Sequence, residues 1–301
     1  MKNAQPIPTL RVLQPHPFVY AFYDGRVEGA EAQAQPTWVD DEYELGLAAY
    51  VLVDDRDALI YDTHMSLAHA ARIRKFVEAL GVTRMRVVLS HWHLDHVAGN
   101  EVFQDCEIIA QERTLQHLQA NALAIEDGTL WGPPIIAPLV MPTTTYHERL
   151  HLTVGRLAVD LLHANIHSDD ATLLHIPACR LLLAGDALED TVTFVNEPAA
   201  FNIHLAELER LWSLDIDHIL PNHGDPAIIA AGGYGTSLIR ATQQYITTLQ
   251  RCVTESALRT VDLQSFLSGP LQEGWITYFS PYEAVHRRNV ALVVESTDLK
   301  Q

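Results

Sequence analysis

Cysteine is scarce: Cys106, Cys179 and Cys252 are the whole complement of a 301-residue chain. Three thiols spaced so widely form neither a disulfide framework nor a zinc ribbon, and they are read as reduced core residues. Positive charge is also short, with 20 Lys and Arg against 38 Asp and Glu and a formal net charge of −18. Gripping phosphate backbones requires clustered Lys and Arg, and the nearest approach, Arg72, Arg74 and Lys75, suits the solvated face of a helix. Nucleic acid is therefore excluded as a partner. No run of about 18 apolar residues occurs, so no membrane-spanning helix is expected. The start of the chain, Met1 to Pro8, lacks the basic and then apolar stretches of a secretory leader. The expected setting is soluble, reducing and cytoplasmic. Internal repeats and low-complexity stretches are missing as well.

The apolar content of 48% and charged content of 19% are those of a globular chain, long enough to bury a sizeable core. Residues 24–44 form an acidic segment containing Gly and Ala, read as a loop. Strands are expected at Leu47–Val53 and Ala58–Tyr61, joined by the turn composition Asp54-Asp55-Arg56-Asp57. Ile73, Phe76, Val77 and Leu80 recur at helical spacing, and Gly81 ends that helix. Met85–Leu89 reads as a buried strand, Glu107–Ala110 as another, and Gln111–Ala122 as a helix. Residues 123–148 are too rich in proline for a helix. Strand signals resume at Leu150–Val154, Leu157–Leu162, Ala171–Ile176 and Arg180–Leu183, with a short one at His218–Leu220. Helices are expected around Leu205–Trp212, around Leu238–Cys252 and from Pro281. Strands, a helix, more strands and then helices suit two packed sheets covered by helices rather than one doubly wound sheet.

The compositional excess is histidine, 16 in all, and histidine is the commonest metal ligand. Four metal-competent side chains fall within six residues at a strand end: His91-Trp92-His93-Leu94-Asp95-His96. In extended chain, residues i and i+2 point the same way, so His91 and His93 can hold one ion. Asp95 and His96 come where the chain turns and can serve a second.

This pattern resembles the metallo-β-lactamase superfamily of metallohydrolases, and later segments continue the likeness in order. Ala58-Leu59-Ile60-Tyr61-Asp62 is similar to the family's first motif, whose aspartate supports the metal loop without binding the ion. Asn165-Ile166-His167-Ser168-Asp169, Leu182-Leu183-Ala184-Gly185-Asp186 and Ile219-Leu220-Pro221-Asn222-His223 resemble the remaining motifs. The resemblance implies an α/β fold, an αββα sandwich with the metals at one edge of the sheets and a C-terminal helical extension. It spans roughly residues 45–231, leaving 1–44 as an N-terminal strand and loop segment and 232–301 as helices packed on the same domain. Carried over by position, site one is His91, His93 and His167; site two is Asp95, His96 and His223; Asp186 bridges them, and Asp62 supports the loop. Three neutral imidazoles leave a catalytic position open on tetrahedral zinc. Two Zn²⁺ per chain are implied, with Fe or Mn as substitutes. A water between such ions loses its proton near pH 7 and attacks an electrophilic carbonyl or phosphoryl group. Asp95 can orient that nucleophile or carry a proton to the leaving group.

The sequence departs from the family's commonest pattern at Thr63-His64-Met65, where a glycine usually follows the threonine. His64 is thus an extra donor, a substrate contact or a plain loop residue. His163 is an alternative to His167 as third ligand of site one. Aspartate at position 186 resembles the glyoxalase II, lactonase and phosphodiesterase branches, since true β-lactamases of the superfamily carry Cys or Ser there. The implied activity is hydrolysis of an ester, lactone or thioester of a small molecule. The alternatives are a mononuclear Fe(II) enzyme similar to the persulfide dioxygenases and a β-lactam or phosphodiester hydrolase. Segment 123–148 either walls the site, with Trp131, Ile135, Ile136, Leu139 and Met141, or closes over the core as a surface excursion; as a wall it implies an apolar portion in the substrate. Tyr234 and Tyr278 are lesser candidates for lining the pocket. The C-terminal helices leave room for a homo-oligomer.

Overall fold

The computed structural model describes residues 7–27, 36–195 and 197–298. The extreme N-terminus, read above for a leader, and residues 28–35 of the acidic segment lie outside them. The first half of the chain runs β1 (Arg11–His16), β2 (Val19–Asp24), α1 (Trp38–Leu45), β3 (Leu47–Asp54), β4 (Asp57–Tyr61), α2 (Leu67–Ala79), β5 (Arg84–Val88), α3 (Leu94–Val97), β6 (Glu107–Gln111), α4 (Glu112–Glu126) and β7 (Thr144–Tyr146). The second half runs β8 (Arg149–Val154), β9 (Leu157–Ile166), β10 (Ser168–Ile176), β11 (Leu181–Gly185), α5 (Phe201–Leu211), β12 (His218–Pro221), α6 (Pro226–Ala230), α7 (Ser237–Arg251), α8 (Leu263–Phe266), α9 (Ser268–Gln272) and α10 (Tyr282–Asp298).

The first sheet has seven strands in chain order, antiparallel from β1 to β4 and parallel from β4 to β7. The second has five, in the order β12-β11-β10-β9-β8, antiparallel except for β11 with β12. β3 shows why the sheets face each other. Its apolar run has no polar side: Ala48, Tyr50 and Leu52 enter the core between the sheets, and Leu47, Ala49 and Val51 enter the core beneath the helices. Such a run fits only a strand covered on both faces. α2 supplies Ala70, Ile73 and Val77 to the helix-side core, and α4 supplies Leu118 and Ile125. Each fully buried aliphatic side chain contributes about 1.5–3 kcal/mol. On the far side, α5 and α7 bury Leu208, Leu211, Leu238, Tyr245 and Leu249 in one cluster with the inner sheet faces. The result is the expected αββα sandwich, with the C-terminal helices against the second sheet.

Two local expectations need correction. Residues 38–45 of the acidic segment are helical, not a loop. The helix starts where the Asp40 carboxylate accepts the backbone N–H of Thr37 at 2.8 Å, half of a capping box. It stops at Gly46, whose φ of 79° and contact with the Tyr23 hydroxyl leave no room for a Cβ. In the proline-rich segment, α4 runs on to Glu126 and β7 joins the first sheet. Between them Ile136 and Leu139 are buried in the helix-side core. Among the described residues, no helix is long and apolar enough to cross a membrane.

Candidate metal centre

Parallel pairing sets the location of the site. β4 and β5 end together, so Asp62 and the Ser90–His96 loop emerge at one edge, and the Asp62 N–H donates to Val88 O at 2.9 Å. β11 and β12 end at the facing edge of the other sheet and deliver Asp186 and His223. His167 occupies the single position between β9 and β10, in left-handed backbone with φ of 67°. Asp62 and His64 are also left-handed, at 67° and 69°. Non-glycine residues hold such conformations at a cost of about 1–3 kcal/mol each, sustained by their surroundings.

The predicted side chains converge. One atom each from His91, His93, His167 and Asp186 lie within 4.8 Å of one another, and so do one atom each from Asp95, His96, Asp186 and His223. Asp186 Oδ2 links the two groups, lying 3.1 Å from His96 Nε2, 3.5 Å from His223 Nε2, 3.6 Å from His91 Nε2 and 3.8 Å from His167 Nε2. Asp95 Oδ2 is 2.8 Å from His96 Nε2 and 3.5 Å from His223 Nε2.

The outer ring nitrogens decide which atoms face inward. His96 Nδ1 pairs with Asp62 Oδ2 at 2.9 Å, His167 Nδ1 with Phe194 O at 3.0 Å, His223 Nδ1 with Gly46 O at 2.8 Å and His91 Nδ1 with Ser90 Oγ at 2.9 Å. Each of these leaves its Nε2 directed at the cluster, which is how ligating histidines are usually oriented. His93 presents Nδ1 instead, 3.1 Å from His167 Nε2. Asp62 is buried and also accepts the Ser90 N–H at 2.6 Å and the Asn222 amide at 2.5 Å. Within the cluster it touches His96 alone.

The charges fall into two halves. Burial, then neighbouring imidazoles, hold His91 well below its ordinary value and His93 down at about 3, and burial lowers His167 too, so the imidazoles of the first group are neutral. Burial also works against protonation of His96 and His223, but carboxylates led by Asp186 outweigh it and hold both well above the ordinary value. The second group thus demands positive charge. A divalent cation fits this donor set on a further observation: among the described residues, His91 Nε2 and Asp186 Oδ1 are buried without a hydrogen-bond partner, an arrangement costly in protein alone.

The cluster forms the floor of a cavity of about 480 Å³. Trp131 lines it, packed against Trp92 and His93 with ring centroids 5.2 Å apart in both cases. The other candidates for substrate contact lie elsewhere, Ile136 and Leu139 being buried in the helix-side core. His64 is fully buried, stacked at 4.1 Å on His69, which is itself pinned between Asp24 and Ser66. Ile135 is exposed outside the cavity, and Met141 packs against the helix-side core. Tyr234 is tied to Asp190 and Asp225, and Tyr278 to Glu283, so neither lines the pocket. His163 meets the Asp169 carbonyl at 2.8 Å and is no part of the cluster. Sequence reasoning missed Glu42 and Glu189. Glu42, on α1, places Oε2 3.7 Å from His223 Nε2; burial followed by Asp95 raises its carboxyl well above the usual range. Glu189 accepts the Phe194 N–H and the Tyr282 hydroxyl. Burial and then Asp186 push it up to about 7. The Thr37-to-Asp40 spacing was a signal for α1, but nothing local announced where Glu42 would point.

Residues 44–223 match the family model described as the metallo-beta-lactamase superfamily. A curated relative, the linear primary-alkylsulfatase of a Pseudomonas species, is 22% identical over 182 residues, 46% of this chain. The chain spans only about a third (34%) of that relative's length. Among solved structures, a metallo-beta-lactamase from Pontibacter korlensis superposes with a TM-score of 0.55 at 14% identity, covering 77% of this chain and 99% of that one. VMB-1 gives 0.59 at 16% identity, covering 81% and 99%. The DIM-1 metallo-beta-lactamase gives 0.53 at 18%, covering 78% and 99%. At these identities the likeness is one of fold.

Proposed function

The chain belongs to the metallo-beta-lactamase superfamily, and on that premise we propose that it is a dinuclear zinc hydrolase cleaving an ester, lactone or thioester of a small molecule with an apolar portion. The observation that carries the reading is the pair of donor groups sharing Asp186 on the floor of an open cavity. His91, His93 and His167 would hold one ion, Asp95, His96 and His223 the other, with Asp186 common to both. When bound, the ions supply a low-pKa water and polarise the oxygen of the scissile group.

The chain's own residues do the rest. Asp62 fixes the His96 ring and the Ser90 amide, so the metal loop is set before substrate arrives. Asp95 faces the cavity and sits between His96 and His223, where its carboxylate can accept a hydrogen bond from the attacking nucleophile and orient it. Trp131, Leu45 and Val285 give the cavity its apolar wall and exclude water from that side of the substrate. The filled second group supports the dinuclear reading over the mononuclear iron one. A sulfate ester with an alkyl chain is a second reading within the same chemistry, favoured by the alkylsulfatase relative.

The test is a metal-defined screen across p-nitrophenyl esters, lactones, S-lactoylglutathione, an alkyl sulfate, phosphodiesters and β-lactams, with metal content measured in parallel. Two zinc ions per chain, with ester or thioester turnover abolished by Asp186→Ala, is the expected result. One iron per chain with thiol-dependent oxygen uptake would overturn it.

A further inference from the structure

The cavity has an uneven distribution of charge. α1 contributes Asp41 and Glu44 to its lining, and Glu42 and Glu189 lie deeper, yet among the described residues Arg288 of α10 is the sole Arg or Lys that lines it. Arg288 is exposed, and its guanidinium carbon stands 4.8 Å from the centroid of the Phe194 ring. Among the described residues no carboxylate comes within 4 Å of it, whereas Arg113 is paired with Asp169 and Arg156 with Asp54.

The guanidinium is held close to the proposed metal ligands. Phe194 O accepts from His167 Nδ1 at 3.0 Å, so the ring under Arg288 belongs to the residue that orients a candidate ligand. The next residue on α10, Asn289, clamps the same loop: its amide donates to Thr193 O at 3.0 Å, and its Oδ1 accepts from Val195 N at 2.9 Å. The helix backbone beside Arg288 and the Phe194 loop are thus tied together, and Arg288 lines the cavity with its guanidinium over the Phe194 ring. Arg recognises planar oxyanions bidentately through that fork.

We propose that Arg288 makes the rim of the cavity an anion subsite, and that the substrate is an organic anion with a carboxylate or sulfate at Arg288, an apolar body along Trp131 and Val285, and its scissile bond over the His/Asp floor. This rests on the hydrolase reading for the last element only. Asp41 of α1 is near enough to Arg288 to interact with its charge and offsets part of it, while Asp41 and Glu44 disfavour an anion elsewhere on the rim, so the anionic end of such a molecule belongs at the guanidinium itself. Its neutral analogue has no comparable anchor.

The binding arm of the test needs no turnover. Quenching of Trp38 and Trp131, which both line the cavity, is titrated with 4-phenylbutyrate and with neutral 4-phenylbutanol on the zinc-loaded protein. Charge-assisted pairing of this kind is worth about ten- to a hundredfold in affinity. Arg288→Gln is expected to lower the ratio of carboxylate to alcohol affinity by that factor, Arg288→Lys by less. Arg287→Gln, which removes the same charge from an exposed neighbour outside the cavity lining, is expected to leave the ratio unchanged. The inference is overturned if Arg288→Gln binds 4-phenylbutyrate as the parent does, since the anion is then taken by the metal floor, or if the parent shows no preference for the carboxylate.

The kinetic arm compares 4-nitrophenyl glutarate monoester with 4-nitrophenyl butyrate. The ratio of their kcat/KM values should fall at least tenfold in Arg288→Gln, through KM. If neither ester is hydrolysed, hydrolysis of simple esters is refuted, the screen above decides the rest of the hydrolase reading, and the binding arm still decides the subsite.

Discussion

Asp62→Asn isolates the part the outer carboxylate plays in the centre. The replacement keeps size and shape but turns one acceptor oxygen into an NH₂ donor. Asp62 receives three donors, from Ser90 N at 2.6 Å, His96 Nδ1 at 2.9 Å and Asn222 Nδ2 at 2.5 Å. If the asparagine oxygen takes the place of Oδ2, it keeps His96 and Asn222, but its NH₂ confronts the Ser90 N–H. The opposite orientation loses two bonds to keep one. A buried donor left without an acceptor costs about 1–3 kcal/mol, and losing charge assistance in the other bonds adds a comparable amount, so roughly 3 kcal/mol is the expected total. For a chain of 301 residues the unfolding entropy is roughly 0.6 kcal/mol per degree, which turns that loss into a Tm drop of about 5 °C in the metal-free protein. With the His96 ring no longer held by a carboxylate, zinc affinity should fall about 10–100-fold. Thermal unfolding of the stripped variant and zinc titration against a chromophoric chelator give the two numbers. A variant within about 1 °C and a factor of two of the parent would refute the assignment of Asp62 as the loop's organiser.

Stripping the parent with a chelator and returning zinc at a thousand times its dissociation constant should raise stability by about 4 kcal/mol, seen as a reversible Tm increase of roughly 6–7 °C. No increase would mean that the histidines do not hold an ion. Trp131→Ala removes the indole that lines the cavity and packs on Trp92 and His93; KM for substrates with a long acyl chain should rise about tenfold while short-chain substrates change little. Unchanged KM for both would place the apolar part of the substrate elsewhere. The Asp54 carboxyl, held down at about 2 by hydrogen bonds from Arg156, has a folded pKa below its unfolded value of 3.8. Its contribution is present above pH 4 and is lost as pH falls toward 2. The Tm gap between the parent and Asp54→Asn should therefore close over that window, and a gap constant from pH 5 to pH 2 would contradict the pairing.

The centre was more legible in the sequence than the cavity above it. Ligands at strand ends lie in short motifs whose spacing is set by the strand repeat, so His91, His93, Asp95 and His96 could be grouped from local order alone. The choice of His167 over His163 was harder, because residues four apart on a strand share a face. The structure separates them by the left-handed turn at His167, a property of the backbone that composition does not display. β3 and β4 were placed by their apolar runs and the aspartate-rich turn, and the paired residues Asp54 and Asp57 close that hairpin. By contrast α1 was hidden, since WVDDEYEL is short, half acidic and buries Trp38 alone, and its helix depends on the capping of Thr37 and the stop at Gly46. Glu42 and Arg288 reach the cavity from opposite ends of the chain, on helices whose relative placement is decided by tertiary packing. No local pattern encodes such a meeting.

The donors are distributed from His91 to His223, and the later ones belong to the second sheet. During synthesis the 91–96 loop exists before the other half of its site, since His223 follows His96 by 127 positions. With the ligands proposed here, an ion captured early would be held by few donors and would exchange freely. Tight retention would begin only when the second sheet docks and brings Asp186 and His223 to the 91–96 loop. Which metal such a centre keeps would then be decided by the finished edge of the sandwich rather than by the first ion encountered, and a chain that fails to dock its second sheet would release the metal as well.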